Sequence, residues 1–228
     1  MTSSLQESLG ARIKALGVTA WGVADLDFVR GAVPNPAAVF TLPVARYKRA
    51  VVMGVRLADD VLEAIEDRPT PLYFHHYRQA NFFLDRAAFD IALMLQKEGY
   101  AALAVPASQV ISKDPMRGLV CHRTLGWAAG LGWRGRSNLL VNPVYGARMR
   151  YVSVLTDAPI EAGKPGDSDC GDCTACVTAC PAGAIRNSPD EFDLKACKAE
   201  LDEFVHLPFI GQHICGVCVK ACRGKARE

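Results

Sequence analysis

Several common features are missing from this chain, and each absence excludes something. It begins MTSSLQESLG, with no basic stretch followed by an apolar run, so no secretory signal is expected. No window approaches about 18 uninterrupted apolar residues, so no helical membrane span is expected. Neither sign of charge dominates: the formal net charge is +2, which neither predicts nor excludes a nucleic-acid partner. There is no long internal repeat and no low-complexity run, so a repeat architecture is not indicated. The expectation is a soluble, cytoplasmic protein. Its 228 residues, 50% hydrophobic and 22% charged, suffice for one large or two modest domains with a buried core.

Against that ordinary background the cysteines stand out. There are nine, and eight fall between Cys170 and Cys222. Without a secretion signal, such density points to metal binding rather than disulfides. The first group, Cys170-x2-Cys173-x2-Cys176-x3-Cys180-Pro181, has the bacterial ferredoxin spacing. Three thiolates on one tight loop can wrap one face of a cubane, while the fourth points to a second cluster. Pro181 is expected to help begin a helix at that fourth cysteine. The second group, Cys215-x2-Cys218-x3-Cys222, is one ligand short, and Cys197 can supply it. The two-cluster rule then assigns Cys170, Cys173, Cys176 and Cys222 to one [4Fe–4S] cluster, and Cys180, Cys197, Cys215 and Cys218 to the other. A pair of structural zinc sites is the alternative, and disulfides are a remote third. Two clusters make a wire for one-electron steps, not a substrate site. The roughly 160 residues ahead of them are expected to hold whatever receives the electrons.

The rest of the chain mixes helices and strands, an α+β pattern. Leu5, Leu9, Ile13 and Leu16 form one apolar stripe, with Ser4 and Glu7 as a capping box and Gly17 at the helix end. Strands are expected over 21–26, 50–57, 100–107, 137–142 and 148–157, with a proline-rich loop over 31–43 and a turn over 143–146. Thr70-Pro71 suits the N-cap and first residue of a long helix that Gly99 stops. Residues 119–129 are expected to be helical. The polar stretch 161–169 is expected to be a linker, giving domains 1–160 and 161–228.

Residues 130–135, GLGWRG, match the G-x-G-x-x-G dinucleotide fingerprint letter by letter. That fingerprint needs a strand before it and a helix after it. Here the preceding residues look helical, and Asn142-Pro143 and Gly146 would break a following helix. The expectation is a helix-to-strand turn whose glycines allow close backbone approach.

The string AAGLGWRGRSNLLVNPVYGARMRYVSVLTDAPI, followed by CGDCTACVTACPAGAI, Cys197 and the CGVC-x3-C pattern, resembles the epoxyqueuosine reductase family and its short relatives. Reductive dehalogenases are wider relatives. The resemblance implies a cytoplasmic, nitroreductase-like cobalamin-binding domain over 1–160. It implies a ferredoxin-like domain with two [4Fe–4S] clusters over 161–228. It places a corrinoid against the glycine-rich turn, with Gly130, Gly132, Trp133, Gly135, Arg136, Ser137, Asn138 and Tyr145 as its expected contacts. Three departures stand out. The family's aspartate acid in a D-x-A-P stretch falls by spacing on Met116, with Asp114 two residues away. The usual lysine after the glycines is Arg136, which keeps the charge but changes the hydrogen-bond geometry. The chain ends at Glu228 without the C-terminal helical-repeat extension of longer members, which argues against a tRNA substrate.

Asp114, His122 and Tyr145 are the candidate proton donors; an unperturbed His122 would titrate near neutral pH. Cys121 is expected to be a small buried hydrophobe, with a cobalt ligand as the sharper alternative. His75 and His76 diverge by about 100° on a helix and suit surface or capping roles better than chelation. Arg148 and Arg150 share one strand face, either solvated or touching a corrinoid or an anionic substrate. The leading expectation is a cobalamin-dependent iron–sulfur reductase of a small molecule, fed by a donor such as a ferredoxin or flavodoxin. An electron-transfer or corrinoid-reducing partner without its own substrate is the alternative, and a flavin in the first domain is a third possibility.

Overall fold

A computed structural model describes residues 2–41, 44–113 and 116–224. In chain order the elements are helix α1 (Thr2–Ala15), strand β1 (Ala20–Asp25), α2 (Leu26–Ala32), β2 (Arg49–Arg56), α3 (Asp59–Glu63), the long α4 (Pro71–Lys97), β3 (Ala102–Val105), the short pair β4 (Ser112–Lys113) and β5 (Met116–Arg117), α5 (His122–Ala128), the pair β6 (Trp133–Arg134) and β7 (Leu140–Val141), β8 (Met149–Thr156), α6 (Ala175–Ala179), α7 (Leu194–Phe204) and α8 (Val217–Ala221). They fall into two compact units. One holds residues up to Val55, Asn81–Leu131 and Arg150–Gly166; the other holds Arg56–Ala80, Gly132–Met149 and Asp167 onward. Neither is continuous in sequence. The segments 56–80 and 132–149 therefore group with the cysteine region although both precede 161–169.

The first unit is built on a four-stranded sheet in the order β1-β2-β8-β3. β1 runs antiparallel to β2, with Val23 opposite Val51, and β3 antiparallel to β8, with Leu103 opposite Leu155. β8 is buried along nearly its whole length, as a central strand covered on both faces should be. Its apolar partners come from α1 and the later turns of α4: Leu9, Ile13, Leu84, Ile91 and Leu95 are all fully buried in one core. The periodicity of these residues was enough to place both helices. α1 starts at Thr2, however, so Ser4 and Glu7 lie within it and are not a capping box at its start. Gly17 follows the helix with φ +81°, the left-handed end that glycine suits.

In the second unit, Thr70 Oγ1 accepts the Tyr73 N–H at 3.1 Å, the N-cap bond expected at the head of α4. The rest of this unit is short helices, with α8 packed on both α6 and α3. Pro181 differs from expectation. The helix lies ahead of it, over Ala175–Ala179, and Cys180 is its C-cap in extended conformation (φ −68°, ψ 113°). A proline disfavours the helical region for the residue before it. Pro181 therefore ends a helix and does not begin one.

Ile91→Ala is expected to destabilise the protein by about 3 kcal/mol, through lost burial plus the cavity left in the core. A lower urea midpoint at unchanged slope would register it.

Candidate metal centre

All eight cysteines from Cys170 to Cys222 belong to the second unit, and all carry free thiols. Cys170 enters a tight turn in which Gly171 takes φ +50° and Cys173 N–H donates back to the Cys170 carbonyl at 3.1 Å. The turn leads into α6, which carries the buried Cys176; Cys173 stays exposed. α8 carries Cys218 and is capped by Cys222, and α7 carries Cys197.

The thiols collect in two neighbourhoods. Burial raises Cys176 to about 11, and Cys222, Cys170 and Cys173 add to the rise. Cys222 is raised by its own burial and by Cys170 and Cys173. Cys218 is pushed well up by burial, then by Cys215, Cys197 and Cys180, with Cys176 last. Cys215, raised to about 11 by burial, also has Cys197 and Cys180 beside it. Among the described residues no three His, Cys, Asp or Glu side chains converge as closely as a single metal ion requires. A cubane asks for less convergence, because each of its four irons takes one thiolate at a separate corner. Thiols held protonated in this way must release their protons when metal binds.

The segment 132–149 is arranged around these loops. α5 ends at Ala128 and β6 begins at Trp133, so GLGWRG joins a helix to a strand, the reverse of the dinucleotide context. Gly130 (φ +79°) has the Lys164 carbonyl against it. Beyond β6, Gly135 N–H donates to the Leu139 carbonyl at 2.9 Å and Asn138 N–H to the Gly135 carbonyl at 2.8 Å. Asn138 takes φ +58°, which asparagine tolerates better than most residues. Its side chain accepts from Arg134 Nε at 2.8 Å. The expected strand over 137–142 thus shrinks to β7, because Ser137 and Asn138 form the hairpin turn.

Arg136 sits at the tip of that hairpin. Its guanidinium donates to the carbonyls of Cys173 at 2.6 Å, Asn187 at 2.7 Å and Gly171 at 2.9 Å. A Cβ on Gly135 would stand 3.5 Å from Cys170 Sγ, so the hairpin backbone lies against the first cysteine. At the other end of the segment, Ala147 N–H donates to the Cys222 carbonyl at 3.2 Å. Arg148, only 3% exposed, pairs with Asp59 and Glu63 at 2.9 Å each and donates to the Lys220 carbonyl. Arg148 is therefore neither on a solvated face nor directed at a ligand. Sequence reasoning singled out none of Asp59, Glu63 and Lys220. The i,i+4 spacing of Asp59 and Glu63 was the one signal available.

The residues expected to hold a corrinoid meet the chain's own groups. Gly130, Gly132 and Gly135 face Lys164, Val141 and Cys170. Trp133 and Ser137 are buried, and Asn138 and Arg136 are engaged as described. Tyr145 lies under the Arg56 guanidinium, 5.3 Å from its ring centroid. Each of them is buried or meets a group of the chain itself.

Of the candidate proton donors, Asp114 lies outside the described residues. His122 is half-buried in the first unit and not unperturbed. Its Nε2 is 3.0 Å from the Pro106 carbonyl, an acceptor only, so Nε2 carries the proton. Nδ1 accepts from Ser153 Oγ at 2.8 Å. Burial, seconded by Arg150, lowers its pKa to about 4, although the Pro106 bond opposes this. Arg150 itself donates to Asn81 and Ala107. Cys121 caps α5 and accepts from Thr124 Oγ1 at 3.2 Å. His75 is exposed, while His76 Nε2 accepts the Ala58 N–H at 3.0 Å, the capping role expected of one of the pair.

No family model matches the chain. It is 38% identical over 104 residues to an epoxyqueuosine reductase of Synechococcus sp. (strain RCC307), over 42% of this chain and 32% of that one. Its fold is similar to that of a catabolic reductive dehalogenase in complex with 3-bromo-4-hydroxybenzoic acid, with a TM-score of 0.74, 21% identity, and coverage of 95% of this chain and 31% of that one. It is also similar to an epoxyqueuosine reductase solved with a tRNA-Tyr stem loop, with a TM-score of 0.62, 21% identity, and coverage of 97% and 65%. The match thus spans about a third of the curated relative and of the dehalogenase. The resemblance stated from the sequence is borne out, and the mixed helix-and-strand fold is shared. No described helix is long and apolar enough to cross a membrane.

Because folding holds His122 near 4, below a free imidazole at about 6.5, the unfolded chain takes up a proton that the folded one refuses. The resulting stability is full above about pH 6.5 and is lost as the pH falls through about 4, on the order of 3 kcal/mol in total. In His122→Gln that part of the acid limb should flatten, which urea midpoints at pH 7, 5.5 and 4.5 will read.

Proposed function

We propose that this chain is an iron–sulfur oxidoreductase that holds two [4Fe–4S] clusters and works with a corrinoid to reduce a small-molecule substrate. Support for the cluster assignment comes from which thiols lie close enough to act on one another: Cys170 and Cys173 act on Cys176 and Cys222, and Cys180 and Cys197 act on Cys215 and Cys218, with Cys176 also acting on Cys218. The spacing rule groups the same residues. Cys170, Cys173, Cys176 and Cys222 would hold one cluster, and Cys180, Cys197, Cys215 and Cys218 the other. Bound clusters supply one-electron transfer, and a bound corrinoid supplies the reducing metal centre for the substrate. The corrinoid rests on the likeness to epoxyqueuosine reductases and reductive dehalogenases and on no contact of segment 132–149.

In this reading 1–160 is a nitroreductase-like domain and 161–228 a ferredoxin-like one, in the cytoplasm, with a ferredoxin or flavodoxin as donor. The chain's own residues fix the cysteine loops and bury Cys176. Tyr145 shares a unit with the cysteines and is the proton source of choice. His122, neutral and with its proton on the Pro106 carbonyl, holds its own segment together. A second reading, an electron-transfer partner with no substrate of its own, gains from the engagement of the expected corrinoid contacts by protein groups.

Anaerobically reconstituted protein is expected to bind about eight irons per chain, falling to about four in Cys176→Ala. An iron content of zero, or bound zinc instead, would sink the cluster assignment. Spectral titration with cobalamin separates the two readings: no binding leaves the partner role. Turnover of a tRNA stem loop in place of small molecules would overturn the substrate class.

A further inference from the structure

Arg136 differs from Arg134, Arg148 and Arg223 in where its charge goes. Arg134 is paired with Asp190 at 2.7 Å, Arg148 with Asp59 and Glu63, and Arg223 with Glu63 at 2.6 Å. Arg136 makes no ion pair among the described residues. It is half-buried and spends its donors on three backbone carbonyls, two of them within the Cys170–Cys173 turn. Carbonyl oxygens are dipoles and leave a full positive charge uncancelled. The neighbouring residue, Gly135, is the one whose Cβ would stand 3.5 Å from Cys170 Sγ, so the hairpin that carries this charge lies against the first cysteine. The same segment also touches Cys222 through Ala147. Both ends of 132–149 thus meet residues of one set of four cysteines, Cys170 through its sulfur and Cys222 through its carbonyl.

We propose that Arg136 is a positioning residue that raises the reduction potential of the cluster held by Cys170, Cys173, Cys176 and Cys222 above that of the other cluster. The inference rests on the two-cluster reading. Reduction adds one negative charge to a cluster, so a fixed cation nearby favours the reduced form. The guanidinium also fixes two carbonyls of the turn by hydrogen bonding, which leaves less freedom for the loop to relax on oxidation. Three of its five donors are engaged, one from each guanidinium nitrogen, which tethers the cation to the turn.

The test uses the reconstituted full chain with Arg136→Gln, which keeps a side-chain donor but removes the charge, and Arg136→Lys, which keeps the charge. Iron per chain is measured first, then midpoint potentials by a redox titration followed by electron paramagnetic resonance. Arg136→Gln should keep about eight irons and lower one of two midpoints, with the reduced-to-oxidised ratio at fixed potential falling about tenfold, or about 59 mV for a one-electron couple. The second midpoint should stay in place, and Arg136→Lys should restore most of the first. Unchanged midpoints in Arg136→Gln at full iron content overturn the proposal. So does loss of half the iron in both variants, which would make Arg136 a mechanical clamp. A wild-type chain that binds no clusters removes the two-cluster reading itself.

Discussion

Buried thiols such as Cys176, Cys215 and Cys218 resist ionisation, and metal binding requires that ionisation. The cysteine loops must therefore be held by groups other than the cysteines. Backbone carbonyls taken up by arginine meet that constraint, and the rest of the second unit depends on them. Arg136 takes the Gly171 and Cys173 carbonyls of the first run, and Arg148 takes the Lys220 carbonyl of the second. Neither bond uses a thiol, so all eight sulfurs stay available.

Magnitudes rank these contacts. The Arg134–Asp190 pair is exposed, with Asp190 81% accessible, and an exposed pair is worth about 0–1 kcal/mol. Arg148 is different: its side chain is 4% accessible and faces two carboxylates. Its carboxylate partners are each 42% accessible, so water screens the two pairs, and the cost of losing them falls on the guanidinium left buried. Asp59 responds in kind, since its bond to Arg148 holds its carboxyl below the usual range. The buried network thus ties α3 to α8, the helix of Cys218 and Cys222, while the surface pairs decorate the unit. Lys220 adds to the tie by donating to the Glu63 and Ile65 carbonyls at 3.2 and 2.5 Å.

Local signals in the sequence translated well. Thr70-Pro71 and Gly99 bracket α4, and the spacing of Leu9, Ile13, Leu84 and Ile91 identifies the faces that fill the first core. These succeed because capping and periodicity act within a few residues. The cysteine runs were legible for the same reason. What failed was set by contacts across long stretches of chain. Arg136 reaches 51 residues to Asn187, and Arg148 reaches 89 back to Asp59; no periodicity encodes either. Pro181 misled in a local way. A proline after a cysteine suits a helix start, yet here a preceding turn of helix claimed Cys180 as its end.

The glycine string gains a different meaning from these contacts. Its glycines serve approach, as expected: Gly135 faces a cysteine sulfur and Gly146 makes room for the Cys222 carbonyl. The string GLGWRGRSNLLVNPVYGAR is among the residues that carry the likeness to epoxyqueuosine reductases. Within it, Gly135, Arg136, Ala147 and Arg148 all meet the cysteine-bearing loops. A chain constrained to hold those loops would keep such residues whatever its activity. Likeness carried by this string is therefore likeness in how the cysteine-bearing loops are held.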